Sequence, residues 1–226
     1  MSQTQSSPFA AESTAADAVS ADELAARLAS KLCHDFISPA GAIVSGLDLL
    51  DDPSAKDMRD EAMELIAASA RKLTDLLQFS RVAFGASSGS DGFDTGELER
   101  LAQGVFAHAR AELDWAIEPQ SLPKRAAVVL LNLAQLAVGI LPMGGTARAE
   151  VVQLPGARDV IIRATGPRAR LNAEVMQGLA GQPLGDGLGG RWVQAYYVHV
   201  VAKAGGGMIG ADVSDEAVTL RAQIPG

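Results

Sequence analysis

Residues 32–43 have the sequence LCHDFISPAGAI, and this stretch decides the fold of the first part of the chain. On a helix, where each residue advances by about 100°, His34 lies opposite an apolar stripe. The stripe comprises Leu28, Leu32, Phe36, Pro39, Ile43, Leu47 and Leu50. The residues beside His34 are small or polar: Arg27, Lys31, Ser38, Gly41, Ser45 and Asp48. The pattern therefore predicts an amphipathic helix that presents an exposed histidine to other proteins.

This helix belongs to a predicted helical hairpin. The first helix is expected from Ala21 to about Leu50 and the second from about Ser54 to Phe84, with Pro53 placed to begin the second. The second helix also carries an apolar stripe, which comprises Met58, Ala62, Leu65, Ile66, Leu73, Leu76 and Leu77. Two helices of this length cannot bury both stripes alone, so we expect a homodimeric four-helix bundle.

Composition limits the function classes that remain. The 226 residues suffice for one large or two smaller domains. A net charge of −8 disfavours nucleic acid as a ligand, because phosphate backbones attract basic surfaces. The single cysteine, Cys33, excludes an intrachain disulfide and fits a reducing compartment. The chain contains no long apolar segment and no basic N-terminal region, so we expect a cytoplasmic protein that does not enter a membrane.

The sequence predicts four regions: a disordered tail over residues 1–20, the hairpin over 21–85, a linker over 86–93 and a second domain over 94–226. Helices are expected at 97–113, 123–141 and 191–204, and strands at 115–118, 147–153, 159–164, 208–213 and 217–224. Helices on one face of a largely antiparallel sheet form an α/β sandwich. The predicted fold class is thus α+β, a helical hairpin followed by this sandwich.

The environment of His34 resembles the phospho-accepting box of two-component histidine kinases. Four residues match that motif: His34, Asp35, Phe36 and Pro39. Ser38 replaces the usual Thr or Asn, and Ile37 replaces the usual basic residue. The residue types suit the chemistry, because an imidazole nitrogen can attack an aspartyl phosphate or ATP while the adjacent carboxylate orients the ring. His108 and His199 are expected to be surface or packing residues.

The second domain resembles the ATP-binding domain of the same kinases. Asn132 matches the first asparagine of the asparagine box, whereas Leu136 occupies the position of the metal-binding second one. Ala164 stands where the family has the aspartate that binds adenine, and Arg168 replaces a later glycine. Residues 185–190 keep part of the glycine-rich phosphate loop. These replacements remove the ligands for magnesium and adenine, so we expect neither ATP binding nor a metal site.

A kinase-like hairpin joined to a degenerate ATP-binding domain resembles the ChpT-type dimeric histidine phosphotransferases of bacterial phosphorelays. The resemblance implies a shuttle in a cell-cycle relay. The receiver domain of a hybrid histidine kinase donates its phosphoryl group to His34, and the receiver domains of response regulators collect it. The receiver supplies the magnesium, so this chain needs no cofactor. We expect Lys31 to neutralise the phosphoryl group and Arg27 to meet an acidic rim of the receiver.

Further residues are assigned to the partner interface because they lie beside His34 or in a basic segment of the second domain. They are Ile37, Gly41, Ser45, Arg168 and Arg170. Together with Arg163, the last two predict a basic cluster at the former nucleotide site, which is either a solvated loop or a docking surface for an acidic receiver.

Two other functions remain open at this point. One is an active histidine kinase with a divergent ATP site. The other is a non-catalytic dimeric adaptor whose His34 is never phosphorylated.

Overall fold

The computed structural model describes residues 19–85, 92–183 and 189–226. The predicted tail over residues 1–20 therefore lies outside the described residues except for its last two positions. Residues 86–91 of the predicted linker lie outside them as well, as do residues 185–188 of the glycine-rich segment. Within the described residues, no helix is long and apolar enough to cross a membrane.

The first helix of the hairpin, α1, spans Ala21–Asp51, which confirms its prediction. Its N-terminus is capped by Ser20, whose hydroxyl accepts a hydrogen bond from the amide of Glu23 at 3.1 Å. Pro39 lies buried inside the helix. Leu47 was expected in the covered stripe but is exposed, so the buried face of α1 is narrower than its apolar residues alone indicate.

The second helix, α2, begins later than predicted. It spans Arg59–Ala83 and follows a single 3-10 turn over Lys56–Met58. The Asp52 carboxylate accepts hydrogen bonds from the Ser54 amide at 2.8 Å and from its hydroxyl at 2.7 Å. These bonds lower the pKa of Asp52 and fix a turn at the position where the prediction began the helix.

The second domain is an α/β sandwich, as predicted. Its elements in chain order are β1 (Gly92–Asp94), α3 (Thr95–Phe106), β2 (Ala111–Ala116), β3 (Ser121–Pro123), α4 (Lys124–Ile140), β4 (Gly145–Leu154), β5 (Ala157–Thr165), α5 (Ala173–Leu179), α6 (Gly190–Ala204), β6 (Met208–Val213) and β7 (Ala217–Pro225). The main sheet has the order β2-β4-β5-β7-β6. Its strands pair antiparallel except for β2 and β4, which are parallel. The predicted α+β fold class is confirmed.

Three details of the second domain differ from the prediction. The helix expected to reach position 113 ends at Phe106, and the strand expected at 115–118 begins at Ala111. The edge strand β2 is drawn into the sheet by pairing with β4, from Ala111 opposite Gly145 onward. The short elements β1, β3 and α5 were not predicted, because three to seven residues are too few to show a period.

The core of the second domain includes the end of the hairpin. Helix α4 is buried along nearly its whole length between the sheet and the other helices. Phe79, Val82 and Ala83 of α2 belong to the same cluster of buried apolar side chains. A smaller cluster of Trp192, Val193 and Tyr196 joins α6 to the start of α1, because Leu24 and Leu28 pack against it. The second domain therefore covers part of the α1 stripe that the sequence assigned to a partner hairpin.

Candidate functional site

His34 lies on the solvent-facing side of α1, as its helical position predicts. Its side chain is 87% exposed. Nδ1 of its ring lies 3.6 Å from Oδ1 of Asp35, which is too long for a hydrogen bond but close enough for an electrostatic interaction. The carboxylate therefore faces Nδ1, and Nε2 is the ring nitrogen available to a reacting group.

Asp35 is also engaged by Lys31. Oδ2 of Asp35 accepts a hydrogen bond from Nζ of Lys31, one turn earlier on α1, at 2.5 Å. The Lys31 side chain is only 13% exposed. Its ammonium, which the sequence assigns to the phosphoryl group, is thus already neutralised by a carboxylate.

His34 stands at the edge of a cleft of about 1270 Å³ between the hairpin and the second domain. The hairpin wall is formed by α1 and α2, and its residues include Ser38, Lys72 and Leu76. The opposite wall is formed by α4, α5 and α6 and by the segment before α5. Among its polar residues are Gln135, Arg170, Asn172, Glu174 and Arg191. The helical pattern places Ser38 beside His34, and the structure brings both into the cleft.

The charge of this cleft is opposite to that of the whole chain. Its lining includes five basic side chains, Arg27, Lys31, Lys72, Arg170 and Arg191, and two acidic ones, Asp35 and Glu174. The excess of three positive charges contrasts with the net charge of −8. The sequence did not reveal Lys72 and Arg191, because no periodicity or motif relates them to His34. Such a cleft can attract an anionic group towards the imidazole.

The basic cluster predicted for the second domain is not a single surface. Arg170 lines the cleft, whereas Arg168 is exposed outside it and has a left-handed backbone with φ of 57°. Arg163 lies on β5 opposite Arg148 of β4, and both are on the sheet face away from the helices. Arg163 therefore does not belong to the predicted cluster, and the grouping of Arg168 with Arg170 stays a prediction.

The other predicted interface residues on α1 differ in their surroundings. Arg27 lies in the cleft, where it pairs with Glu23 at 2.7 Å and lies over the Trp192 ring at 5.6 Å from its centre. Ile37 is 70% exposed. Gly41 and Ser45 are exposed further along the helix and do not line the cleft.

Asn132, which matches the first asparagine of the kinase motif, is engaged in internal hydrogen bonds. Nδ2 of the fully buried Asn132 donates to the carbonyl of Ala83 at 2.7 Å and to that of Val128 at 2.8 Å. Its Oδ1 accepts from Nε2 of Gln194 at 3.1 Å, and the same amide donates to Gln135 Oε1 at 2.5 Å. Asn132 thus connects α4 to the end of α2.

Two apolar residues take the places of the ligands that the resemblance requires. Leu136 is buried at the cleft wall, and Ala164 is fully buried in the core. Across the part of the chain that the structure describes, no group of three or more His, Cys, Asp or Glu side chains could hold a metal ion.

Comparison with known proteins gives a consistent set of relatives. Residues 95–217 match a family model described as the histidine phosphotransferase C-terminal domain. The protein phosphotransferase ChpT of Brucella abortus (strain 2308) is 34% identical over 210 residues, which are 91% of this chain and 97% of that protein. A solved bacterial phosphotransferase superimposes with a TM-score of 0.81 at 31% identity, over 90% of this chain and 97% of the other. A weaker match is the Acinetobacter baumannii histidine kinase AdeS, with 14% identity, 85% and 97% coverage and a TM-score of 0.47.

Proposed function

This chain belongs to the histidine phosphotransferase family and is a phosphotransferase of a phosphorelay, and from that premise we propose that His34 is the residue that carries the phosphoryl group. The observation that carries the proposal is the exposed imidazole of His34 at the edge of a positively charged cleft. Neither His108 nor His199 has this setting. His108 bonds Asp75 at 2.8 Å, and Nδ1 of His199 bonds the Leu179 carbonyl at 2.8 Å.

The transfer step follows from the orientation of the ring. Nε2 of His34 attacks the phosphorus of an aspartyl phosphate, the bond between phosphorus and the aspartyl oxygen breaks, and the aspartate leaves as a carboxylate. Nδ1 keeps its proton, so the imidazole becomes cationic as the bond to phosphorus forms. Asp35, at 3.6 Å from Nδ1, stabilises this charge and favours the correct tautomer. Return of the phosphoryl group to a second receiver reverses the same step.

The partners in this proposal are receiver domains. A hybrid kinase receiver is the donor and response-regulator receivers are the acceptors, in a relay that controls the cell cycle. The receiver brings its own magnesium, so this chain supplies position and charge. Ser38, Arg27 and Arg170 would meet the receiver within the cleft, and Ile37, Gly41 and Ser45 would meet it along α1. We place the protein in the cytoplasm, since the single free cysteine suits a reducing compartment.

We further propose that the hairpins dimerise into a four-helix bundle. An apolar stripe with spacings of three, four or seven residues, whose members are exposed or half-buried, runs along each helix. On α1 the stripe comprises Cys33, Ala40, Val44 and Leu47, and on α2 it comprises Met63, Ala70, Leu73 and Leu77. This spacing is typical of helices that pack as a coiled coil. A second copy of the hairpin would bury both stripes together.

The same proposal excludes ATP as the phosphoryl donor. Leu136 and Ala164 have no groups that could bind magnesium or the adenine amine. The side chain of Asn132 is already used in internal hydrogen bonds. An unpaired adenine amine in a buried site would cost about 1–3 kcal/mol.

A reconstituted relay separates the three candidate functions. Purified protein is incubated either with a hybrid-kinase receiver domain charged by radiolabelled acetyl phosphate or with radiolabelled ATP. Label acquired from the receiver and not from ATP supports the phosphotransferase. Label from ATP identifies a kinase, and absence of label from both sources identifies an adaptor.

A further inference from the structure

Lys72 is a basic residue of the hairpin that the transfer step described above does not use. It lies on α2 and lines the cleft together with His34 and Ser38. Its side chain is half-buried. A cation held at the edge of a cleft beside the acceptor histidine is well placed to meet the transferred group.

The contacts between α1 and α2 show which residues of α1 lie at the same height as Lys72. A Cβ built on Gly46 of α1 would lie 2.6 Å from Cγ1 of Ile66 and 3.2 Å from the carbonyl oxygen of Ala62, both on α2. The two helices are joined by a short turn and run antiparallel. Moving eight residues towards the N-terminus of α1, from Gly46 to Ser38, therefore matches moving eight residues towards the C-terminus of α2. Ser38 is then level with positions 70–74 of α2. Along the axis of the hairpin, Lys72 thus lies about one helical turn from the level of His34, since one turn holds about 3.6 residues.

Among the described residues, Lys72 has no ion pair and no side-chain hydrogen bond. Lys31, the other lysine of the cleft, is bound to Asp35. The remaining carboxylate of the lining is Glu174 of α5, which lies on the opposite wall. Arg170 and Arg191 also belong to that opposite wall, whereas Lys72 shares the hairpin with His34. Of the cleft cations, Lys72 therefore combines proximity to His34 with a free charge.

We propose that Lys72 is a catalytic residue of phosphoryl transfer, whose ammonium contacts an oxygen of the phosphoryl group while it moves between the receiver aspartate and Nε2 of His34. This inference rests on the proposed function. The bonds made and broken are those of the step already given, and Lys72 exchanges no proton in it. Its contribution is electrostatic, because negative charge on the phosphoryl oxygens is stabilised by a fixed cation in the cleft.

The test compares Lys72→Gln with Arg71→Gln, a matched control on the neighbouring residue, which is exposed and does not line the cleft. Single-turnover transfer is measured from a labelled hybrid-kinase receiver domain to this protein and back again. Affinity for the unphosphorylated receiver is measured separately. Lys72→Arg serves as the rescue variant, because it keeps the charge.

We expect Lys72→Gln to slow transfer in both directions by about tenfold. Receiver affinity and the Arg71→Gln rate should stay within about twofold of the wild-type values, and Lys72→Arg should recover most of the lost rate. A Lys72→Gln rate equal to that of the wild type overturns the inference. So does a rate loss fully explained by weaker receiver binding. Wild-type protein that takes no label from the receiver overturns the proposed function itself, which is a different result.

Discussion

At the scale of single residues, the site depends on how one carboxylate is shared. Asp35 faces Nδ1 of His34 through one oxygen and binds Lys31 through the other. In the proposed transfer step one oxygen would stabilise charge on the imidazole, whereas the other neutralises the Lys31 ammonium. The side chain that the sequence assigned to the phosphoryl group is the one that holds the assisting carboxylate in place.

Replacement of Asp35 by Asn tests this role. We expect Asp35→Asn to slow phosphoryl acceptance by about tenfold, because the imidazole loses the charge that stabilises its cationic form. The helix should remain folded, since the amide oxygen of Asn can still accept a hydrogen bond from the largely buried Lys31 ammonium. Single-turnover transfer and circular dichroism are the measurements. A rate equal to that of the wild type would show that Asp35 only anchors Lys31.

At the scale of elements, the hairpin and the second domain are joined by a buried polar contact. Asn132 of α4 donates to the carbonyl of Ala83, in the last turn of α2, and accepts from Gln194 of α6. Three helices therefore meet at one amide. Asn132 is thus part of the connection that fixes one wall of the cleft relative to the other.

Removal of the Asn132 side-chain amide should lower the stability of the fold. We expect Asn132→Ala to lower the free energy of unfolding by about 2 kcal/mol, because the Ala83 carbonyl and the Gln194 amide lose a buried partner. Urea denaturation measures the change, and Gln103→Ala, on the exposed side of α3, is the control. Equal stability of the two variants would contradict the assignment of Asn132 as a structural contact.

The partly exposed apolar stripes of the hairpin predict the oligomeric state. We expect the wild-type chain of 23.4 kDa to sediment as a dimer, and Val44→Asp to sediment as a monomer, because a carboxylate cannot be buried unpaired in a bundle core. Val152→Asp is the control, since Val152 is also an exposed valine and lies on the sheet face away from the helices. A monomeric wild-type protein, or a dimer unaffected by Val44→Asp, would contradict the proposed bundle.

The elements that could be predicted from sequence are those with a sustained period. Helix α1 was predicted because its apolar residues repeat at helical spacing over many residues. Strands β4 and β5 were predicted because they flank a tight turn at Pro155 and Gly156. Strand β2 was misplaced because its pairing partner is distant in sequence. Lys72 was missed for a similar reason: its place beside His34 depends on how α2 packs against α1. His34 was found because its position on α1 alone determines its exposure.

At the scale of the whole molecule, the second domain forms one wall of the site. Its α4, α5 and α6 face His34 across the cleft, and its core includes the end of α2. In the proposed function this wall would be a surface for the receiver. Arg170 lines the cleft, whereas Arg168 lies outside it.

Charge reversal distinguishes these two arginines. We expect Arg170→Glu to weaken receiver binding and slow transfer more than Arg168→Glu does. The effect should grow at low salt, where the screening length exceeds the roughly 10 Å found at 0.1 M. Binding and transfer are measured for both variants at two ionic strengths, and the dimer should persist in each. Equal effects of the two reversals would show that the cleft wall has no special part in docking.

The central claim is that His34 alone receives the phosphoryl group, and label transfer to two histidine variants tests it most directly. A labelled hybrid-kinase receiver domain is mixed with wild-type protein, with His34→Ala or with His108→Asn. Loss of His34 should leave little cavity, because its side chain is exposed, so the variant should fold and dimerise like the wild type. We predict acid-labile label on the wild-type protein and on His108→Asn, and none on His34→Ala. Label that persists on folded His34→Ala would contradict the account and place the acceptor elsewhere in the chain.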